Sequence, residues 1–346
     1  MDIGAVKKIL IIKPSSLGDV IHALPVAVAL KAALPSVTVD WVVNRGYEGV
    51  LTTHPAIDRV ITFDRRLLKG GGRLGRLSAF VNELRRERYD AVIDLQGLLR
   101  SGLMTFICRS RKKVGFENAR EGASLFYTDK VPVPDNNIHA VDRYLMTLGR
   151  LGIAYNKVSF GLTAGPGDTS LADEIIKSAG IEDGEPFVVI APSARWYTKR
   201  WPAGNFVRLA NRLKGEKGVG AVFIGSAEDA DILNQAGEKL VQGNAAAFGK
   251  TTIMSLAALL TRARLLVTND SGPMHIAAAV GTPAVALFGP TDPARTGPYG
   301  EINSIIRADD DCSPCFKREC PEVRCMSGIT VERVFGAAVD ILERKP

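Results

Sequence analysis

Short apolar runs alternate with helical patterns along the whole chain, and this alternation restricts the fold more than any other feature. Two examples are KILIIK at 8–13, followed by a helical pattern at 20–34, and PFVVIAP at 186–192, followed by one at 203–214. The runs are continuously apolar, as is typical of parallel strands that helices cover on both faces. We therefore predict an α/β protein built from doubly wound parallel sheets.

The length of the chain and one polar segment divide it in two. A single hydrophobic core rarely grows beyond about 250–300 residues, and this chain has 346. The segment SFGLTAGPGDTS at 159–170 is rich in Gly, Ser, Thr and Pro, which is typical of a linker. We therefore expect two domains, 1–160 and 161–346.

Both halves repeat the pattern of a strand followed by a helix. In the first half we predict strands at 8–13, 37–43, 59–63 and 90–97, and helices at 20–34, 76–89 and 140–153. In the second half we predict strands at 186–192, 220–225, 264–270 and 283–289, and helices at 170–179, 203–214, 228–242, 254–262 and 273–280. Doubly wound sheets bind their ligands at the carboxyl ends of the strands, so candidate sites are sought there.

The basic residues are concentrated in one segment. Residues 65–120 carry fourteen Lys and Arg but only five Asp and Glu, a net charge of +9, whereas the whole chain carries +7. A localised positive surface predicts an anionic partner, either a nucleic acid, an acidic lipid or a phosphorylated glycan. A solvated basic face is the alternative. The chain shows no recognition-helix or RNA-binding aromatic motif, which disfavours nucleic acid.

Neither a signal peptide nor a membrane span is predicted. The apolar run at 9–12 that follows the first lysines is too short for a signal peptide. No stretch approaches the roughly 20 uninterrupted apolar residues that a transmembrane helix needs. We expect a cytoplasmic protein that contacts a membrane surface.

The segment LLVTNDSGPMHIAAAVGTPAVALFGPTDPARTGPYG at 265–300 carries the strongest local signal. A strand ends at Asp270, Ser271 and Gly272 form the turn, and a proline suits the first turn of the next helix. Such a turn directs backbone N–H groups and the positive end of the helix dipole at a ligand. We predict that residues from Asp270 to His275 face a phosphate. An ordinary strand–helix turn with a structural histidine is the alternative.

Two further strand ends carry candidate ligands for a nucleotide. Within APSARWYTKRWPAGNF at 191–206, Ser193 follows a strand, and Lys199 precedes a helix at a point where a cation neutralises a diphosphate. Within IGSAED at 224–229, Glu228 follows another strand, as acids that bind ribose hydroxyls do. A surface lysine and a helix-start acid are the alternatives. The sequence contains neither a GxGxxG fingerprint nor a P-loop.

An acid follows the first predicted strand of the chain. The segment KPSSLGDVIHALP at 13–25 places Asp19 where this strand gives way to a helix. The dipole of that helix stabilises a carboxylate, and the carboxylate repels a phosphate. Asp19 is therefore suited to accepting a proton rather than to binding an anion. A helix-start residue with no chemical role is the alternative.

Four of the five cysteines lie within fourteen residues, in the spacing C-x₂-C-x₄-C-x₄-C. Disulfides are disfavoured in a cytosolic protein. Thiolates this close are able to bind zinc or an iron–sulfur cluster, and reduced or redox-active thiols are the alternative. The four residues are Cys312, Cys315, Cys320 and Cys325.

These motifs resemble those of the lipopolysaccharide heptosyltransferases of glycosyltransferase family 9, over nearly the whole chain. KPSSLGDVIHALP is similar to the N-terminal signature of the family, and NDSGPMHIAAAVGTPAVALFGPTDPARTGPYG to its donor-site signature. DLQGLLRSG at 94–102 and AREGASLFY at 119–127 resemble the members that transfer the first heptose. The cysteine-rich segment departs from the enterobacterial form of those members.

The resemblance implies a GT-B fold, in which two Rossmann-like domains face each other across a cleft. It implies that Asp19 is the general base and Lys199 the cation at the donor phosphates. The remaining donor-binding residues are Ser193, Glu228, Met254, Asp270, Ser271, Gly272 and His275. The acceptor-binding residues that we predict are Ser15, Ser16, Gly18, Gln96 and Arg120, together with the basic Arg65, Arg66 and Lys69.

The implied reaction is the inverting transfer of L-glycero-D-manno-heptose from ADP-heptose to the Kdo or heptose residues of the lipopolysaccharide core. The C-terminal domain binds the donor and the N-terminal domain the acceptor, without a metal or other cofactor. Asp19 takes the proton of the acceptor hydroxyl, while Lys199 and the helix end stabilise the departing diphosphate.

An acceptor built on phosphorylated lipid A fits the basic segment. We expect a monomer that is peripheral on the cytoplasmic face of the inner membrane. A transferase of the second heptose and a transferase with another nucleotide-sugar donor are the alternatives. A nucleic-acid-binding α/β protein is a remote one.

Overall fold

The computed structural model describes residues 6–64, 66, 72–135, 137–308 and 310–344. It divides into two compact units, Met1–Leu162 and Thr163–Pro346. The division lies two residues after the boundary that we predicted between residues 160 and 161. Each unit contains one six-stranded sheet.

The first unit is a parallel sheet with the strand order β3-β2-β1-β4-β5-β6. This is the doubly wound order of dinucleotide-binding folds. Its strands are β1 (Lys8–Ile12), β2 (Thr38–Asn44), β3 (Arg59–Phe63), β4 (Ala91–Asp94), β5 (Lys112–Phe116) and β6 (Asp129–Val131). Its helices are α1 (Leu17–Ala33), α2 (Gly49–Thr52), α3 (Arg73–Arg85), α4 (Leu99–Ile107) and α5 (Ala140–Gly149), and a short 3₁₀ helix covers Ala123–Phe126.

The second unit repeats this order as β12-β11-β10-β7-β8-β9. Its strands are β7 (Phe187–Ala191), β8 (Gly220–Phe223), β9 (Ala245–Ala246), β10 (Leu265–Asn269), β11 (Ala284–Phe288) and β12 (Ser304–Arg307). Its helices are α6 (Pro166–Ser178), α7 (Ala203–Lys217), α8 (Asp231–Asn234), α9 (Ile253–Arg262), α10 (Gly272–Val280), α11 (Pro293–Thr296), α12 (Arg324–Ser327) and α13 (Val331–Leu342). Short 3₁₀ helices cover Tyr197–Lys199 and Ala227–Ala230.

The central strands are buried on both faces, which explains their continuous apolar sequences. Ile9, Leu10, Ile11 and Ile12 of β1 are fully buried, as are Leu265, Leu266 and Val267 of β10. Strand register brings the carboxyl ends of neighbouring strands to one level, because Ile12 pairs with Val42 of β2 and with Asp94 of β4. In the second unit, Thr268 of β10 pairs with Ala191 of β7 in the same way.

The structure corrects two sequence predictions. The helix predicted at 228–242 is wrong, because the segment contains only the 3₁₀ turn Ala227–Ala230 and the four residues of α8. Gly237 has a φ of +73°, a left-handed conformation that cannot continue an α-helix. The linker predicted at 159–170 overlaps α6, which begins at Pro166. Its Gly and Pro residues mark a helix start, where proline is favoured.

No helix within the described part of the chain is both long enough and apolar enough to cross a membrane.

Candidate active-site residues in the two units

The loop from β1 to α1 builds the candidate base of the first unit. Ser16 is the N-cap of α1, and Asp19 is the third residue of the helix. The backbone N–H and the hydroxyl of Ser16 both donate to Oδ2 of Asp19, at 2.9 and 2.8 Å. Part of the carboxylate thus caps the helix, as the structural alternative expected. The peptide bond between Ser15 and Ser16 is cis.

The second oxygen of Asp19 faces two groups from other elements. The hydroxyl of Tyr144 on α5 donates to Oδ1 at 3.2 Å, and Nζ of Lys13 lies 3.8 Å away. The side chain of Asp19 is 33% exposed, so the carboxylate is open to a substrate. The helix dipole, the hydroxyls and the ammonium group all favour its ionised form. Asp19 is therefore an accessible carboxylate that is held by hydrogen bonds and lies near a cation.

Lys13 is a buried cation that the sequence analysis missed. Its side chain is almost fully buried, and Nζ donates to the carbonyl of Leu95 at 3.2 Å and lies 4.9 Å from the ring centre of Tyr144. Burial lowers the pKa of Lys13, while the nearby carboxylates of Asp19 and Asp94 oppose the shift. A lysine directly after a buried strand is the signal by which the sequence could have revealed it.

The carboxyl end of β4 holds the predicted acceptor residue Gln96. Oδ1 of the buried Asp94 accepts hydrogen bonds from the backbone N–H groups of Gln96 and Gly97, and Oδ2 accepts one from the hydroxyl of Tyr127. Burial raises the pKa of Asp94 in spite of these bonds. The side-chain oxygen of Gln96 in turn accepts a hydrogen bond from the backbone N–H of Ser15, at 3.2 Å. The turn after β4 is thereby fixed against the turn after β1.

A polar pocket opens at this edge of the sheet. Its volume is about 320 Å³. Its lining residues are Pro14, Ser15, Asn44, Gln96, Leu98, Arg100, Ser101 and Glu121. The exposed Arg120 adjoins it, because its backbone N–H donates to the carbonyl of Gly97 at 2.9 Å. The structure thus places Ser15, Gln96 and the backbone of Arg120 at one edge of the sheet, and their binding of the acceptor stays a prediction.

The predicted basic acceptor residues are less completely described. Arg65 and Lys69 lie outside the described residues. Arg66 is exposed, and its guanidinium group donates to both carboxylate oxygens of Asp64, with the shortest bond at 2.7 Å. This pairing lowers the pKa of Asp64 to about 2. Arg66 is therefore already engaged by a carboxylate.

The second unit places Lys199 beside the carboxyl end of β10. Nζ of Lys199 lies 2.5 Å from Oδ2 of the buried Asp270, and the hydroxyl of Thr291 donates to the same oxygen at 2.6 Å. Since a carboxylate repels phosphate, this geometry makes Asp270 the residue that holds Lys199 rather than a direct phosphate ligand. The side chain of Lys199 is 16% exposed and retains donors for an anion.

Helix α10 presents its N-terminus next to this pair. Ser271 is the N-cap, Gly272 begins the helix, and a proline occupies its first turn. The unbonded N–H groups at such an end attract anions. His275 follows in the first turns and is buried, and Gly281, with a φ of +82°, ends the helix. Asp270, Ser271, Gly272 and His275 therefore all lie at the strand–helix turn that the sequence predicted.

Asn269 braces this arrangement and was not predicted. Its side-chain amide donates to the carbonyl of Pro192 at 2.7 Å, and its side-chain oxygen accepts from the backbone N–H of Trp201 at 3.0 Å. The segment that carries Ser193 and Lys199 is thus tied at both ends to the end of β10. Ser193 is partly exposed at the end of β7.

The remaining predicted donor residues lie after β8 and on α9. Glu228 is exposed in the 3₁₀ turn Ala227–Ala230, and its neighbour Asp229 caps that turn by accepting from Ser226. The side chain of Glu228 is therefore not needed for the turn. Met254 is buried in the first turn of α9.

The four clustered cysteines line one small cavity of about 80 Å³. All of them are free thiols, and Cys325 is buried while Cys312 is exposed. Backbone N–H groups of Val323 and Glu322 lower the pKa of Cys320. Among the described residues, no three side chains of His, Cys, Asp or Glu are grouped closely enough to hold a metal ion. One cavity brings all four thiols together, and the metal site and the reduced thiols both stay predictions.

Two units with the same doubly wound strand order, one carrying an exposed carboxylate and the other a cation beside a helix N-terminus, define a glycosyltransferase of the GT-B fold. A model of glycosyltransferase family 9 (heptosyltransferase) matches residues 77–325. The chain belongs to this family.

Individual relatives agree with this assignment. Lipopolysaccharide heptosyltransferase 1 of Pseudomonas aeruginosa is 34% identical over 320 residues, which cover 90% of this chain and 87% of that protein. The crystal structure of a family 9 glycosyltransferase from Veillonella parvula has a TM-score of 0.84 and 28% identity, and the match covers 99% of this chain and 98% of that one. Heptosyltransferase WaaC of E. coli with ADP-2-deoxy-2-fluoro heptose has a TM-score of 0.77 and 26% identity, over 96% of this chain and 99% of that one.

Proposed function

We propose that this protein is a lipopolysaccharide heptosyltransferase that transfers L-glycero-D-manno-heptose from ADP-heptose to the Kdo region of the inner core. The transfer inverts the anomeric centre and needs no metal ion. Support comes from the family, from the relative named heptosyltransferase 1, and from the structure of a relative with an ADP-heptose analogue.

The geometry of Asp19 is the observation that carries the mechanism. Its carboxylate is one-third exposed, is fixed by Ser16 and Tyr144, and lies near the buried Lys13. A general base must be ionised and must reach the proton that it removes. Asp19 takes the proton from the acceptor hydroxyl as that oxygen attacks the anomeric carbon. A single displacement inverts the centre, so one catalytic carboxylate is enough.

The second unit supplies the charge that the leaving group requires. Negative charge grows on the ADP diphosphate as the bond to heptose breaks. Lys199 and the N-terminus of α10 stabilise this charge, and Asp270 and Thr291 hold the assembly in place. Glu228 binds the ribose hydroxyls, and Met254 packs beside the adenine. This assigns the donor to domain 161–346 and the acceptor to domain 1–160.

The acceptor explains the polar pocket and the charge of the first unit. Ser15, Gln96 and Arg120 bind the Kdo sugars, with Ser16 and Gly18 in the same loop. The basic segment that includes Arg65, Arg66 and Lys69 holds the anionic head group of lipid A at the cytoplasmic face of the inner membrane. The protein acts there as a peripheral monomer.

Two measurements test the reaction and the role of Asp19. Mass spectrometry of products from ADP-heptose with Kdo₂-lipid A should show one added heptose, whereas the same lipid already carrying one heptose should not react. Asp19→Asn should reduce turnover by at least about 100-fold while leaving ADP-heptose binding within twofold. The control Asp183→Asn changes a side chain that is 98% exposed and should keep wild-type turnover. Wild-type turnover of Asp19→Asn contradicts the mechanism.

Calorimetry tests the donor separately from the acceptor. ADP should bind, while UDP and GDP should bind at least tenfold more weakly, because Met254 packs beside the adenine, whereas the ribose that Glu228 binds is common to all three nucleotides. Preferred binding of UDP or GDP would establish a transferase of the same fold with another donor. Preferred reaction of the heptosylated lipid would establish the second-heptose transferase.

A further inference from the structure

The cysteine loop, residues 310–325, is attached to the segment that carries Lys199. The hydroxyl of Thr198 donates to the carbonyl of Lys317 at 2.9 Å. The backbone N–H of Phe316 donates to the carbonyl of Pro290 at 2.7 Å, and the hydroxyl of Ser313 donates to the carbonyl of Gly289. These bonds fix the loop to two segments that contact the Lys199–Asp270 pair. One segment contains Thr198, which precedes Lys199. The other contains Pro290, which precedes Thr291, the hydrogen-bond donor to Asp270.

This attachment places a second cation at the ring of Trp196, which Lys199 also contacts. The guanidinium carbon of Arg318 lies 4.8 Å from the ring centre of Trp196, and Nζ of Lys199 lies 4.6 Å from the same ring centre. Both distances are measured to the ring centre of Trp196, so the two cations are no farther apart than the two distances added together. Arg318 is exposed, whereas most of Lys199 is covered.

The positive charge near Lys199 is only partly balanced by carboxylates. Lys199 is neutralised by Asp270 at 2.5 Å, so this pair alone presents little net positive charge to a diphosphate. Within the described residues, Arg318 forms no ion pair with a carboxylate, and its contact is the indole of Trp196. Two cations on one ring repel each other, and an anion that contacts both relieves this repulsion. The planar guanidinium group also matches the paired oxygens of a phosphate better than an ammonium group does.

We propose that Arg318 is a further donor-binding residue, which contacts the diphosphate of the nucleotide sugar together with Lys199. The inference depends on the function proposed above and deepens it. The cysteine loop then acts as an arm of the donor site, and Trp196 is the platform on which both cations are positioned. The resemblance to the family did not point to Arg318, because the cysteine-rich segment is where this chain departs from the enterobacterial pattern.

Binding of ADP and of adenosine separates a diphosphate contact from a general loss of structure. By calorimetry, Arg318→Gln should weaken ADP by about tenfold or more, because a charge-assisted contact is lost. Adenosine, which has no phosphate, should bind within twofold of wild type. Arg318→Lys should restore only part of the ADP affinity, since it keeps the positive charge but loses the planar group that donates two parallel hydrogen bonds.

A matched control lies in the same loop. Arg324 is also exposed, and it is paired with Glu322 at 3.0 Å, so Arg324→Gln should leave both affinities within twofold. If wild-type protein binds ADP and Arg318→Gln binds it equally well, this inference is wrong and the proposed function stands. If wild-type protein does not bind ADP, the proposed donor is wrong. Equal losses for ADP and adenosine would show a structural role and would also overturn the inference.

Discussion

The two oxygen atoms of the Asp19 carboxylate have different contacts. Oδ2 accepts two hydrogen bonds from Ser16 and caps α1, while Oδ1 faces the hydroxyl of Tyr144 and the ammonium group of Lys13. Each of these neighbours favours the ionised form. The same contacts hold the carboxylate in one orientation, with Oδ1 on the side of Tyr144 and Lys13.

Lys13→Met tests whether the buried cation sets the charge of Asp19. Methionine retains the apolar stem within the core but removes the ammonium group 3.8 Å from Oδ1. The carboxylate loses a partner that favours ionisation, so the acid limb of the kcat profile should move to higher pH. At the pH optimum the carboxylate is ionised in both proteins, so kcat should stay within about tenfold of wild type, a smaller change than the roughly 10²–10⁴-fold that general-base catalysis contributes, and the KM for the donor should not change.

The control for this experiment is Lys7→Met. Lys7 is exposed and its side chain is not placed at Asp19. This variant should reproduce the wild-type profile. An acid limb at the same pH in wild type and in Lys13→Met shows that Lys13 does not act on the carboxylate that we propose as the base.

At the level of elements, the buried strands were predicted from the sequence more accurately than the exposed segments. The strands predicted at 8–13 and 264–270 correspond to β1 and β10, because a continuous apolar run that is buried on both faces has few other solutions. The 3₁₀ turn and loop at 228–242 were predicted as one helix, because a polar surface segment leaves local propensity as the only guide. Helices α4 and α13 were not predicted at all.

The site shows the same division between local and tertiary information. Asp19 and Ser271 were predicted as site residues because they follow strands at a helix start, which is a local pattern that the structure confirms. Lys13, Asn269 and Arg318 were not assigned, because their roles depend on contacts with residues far along the chain. Nζ of Lys13 binds the carbonyl of Leu95, and the side chain of Asn269 joins Pro192 to Trp201.

Two glycines of the second unit give opposite predictions for the same substitution. A Cβ atom at Gly220 in β8 would lie 2.4 Å from the carbonyl oxygen of Gly243, which is backbone and cannot move freely. Gly220→Ala should therefore lower the free energy of unfolding by about 1–3 kcal/mol. Gly336 lies within α13 with no atom within 4 Å of its Cβ position. Gly336→Ala should raise the free energy of unfolding by about 0.5–1 kcal/mol.

Urea unfolding of the two variants and wild type under one condition provides the measurement. The variants serve as controls for each other, since both exchange Gly for Ala in the same unit. A stabilising Gly220→Ala would show that β8 and the segment at Gly243 are farther apart than the structure places them.

At the scale of the whole molecule, charge and exposed apolar surface are combined in the first unit. Leu99, Leu103 and Phe106 have the i, i+4, i+7 spacing of one face of α4, and all three are exposed. Leu125, on the 3₁₀ helix that packs against α4, is 81% exposed. Arg100, next to this apolar face, lines the polar pocket of Ser15 and Gln96. A glycolipid acceptor likewise combines polar and apolar parts, with sugars and phosphates next to acyl chains.

Vesicle sedimentation tests whether this surface contacts the bilayer. The protein should bind vesicles of phosphatidylglycerol and phosphatidylethanolamine at low salt, and more weakly at high salt, because the basic segment attracts anionic lipid. Phe106→Glu should reduce the bound fraction about tenfold, since it removes an apolar side chain that is 62% exposed and adds a repelled charge. Leu103→Glu should act in the same direction.

The matched control is Val241→Glu in the second unit, where the exposed fraction of 45% is close to the 43% of Leu103. Equal binding by Phe106→Glu and Val241→Glu shows that charge alone holds the protein at the membrane, and loss of a dimer on Phe106→Glu shows that the apolar face binds a second copy of the chain.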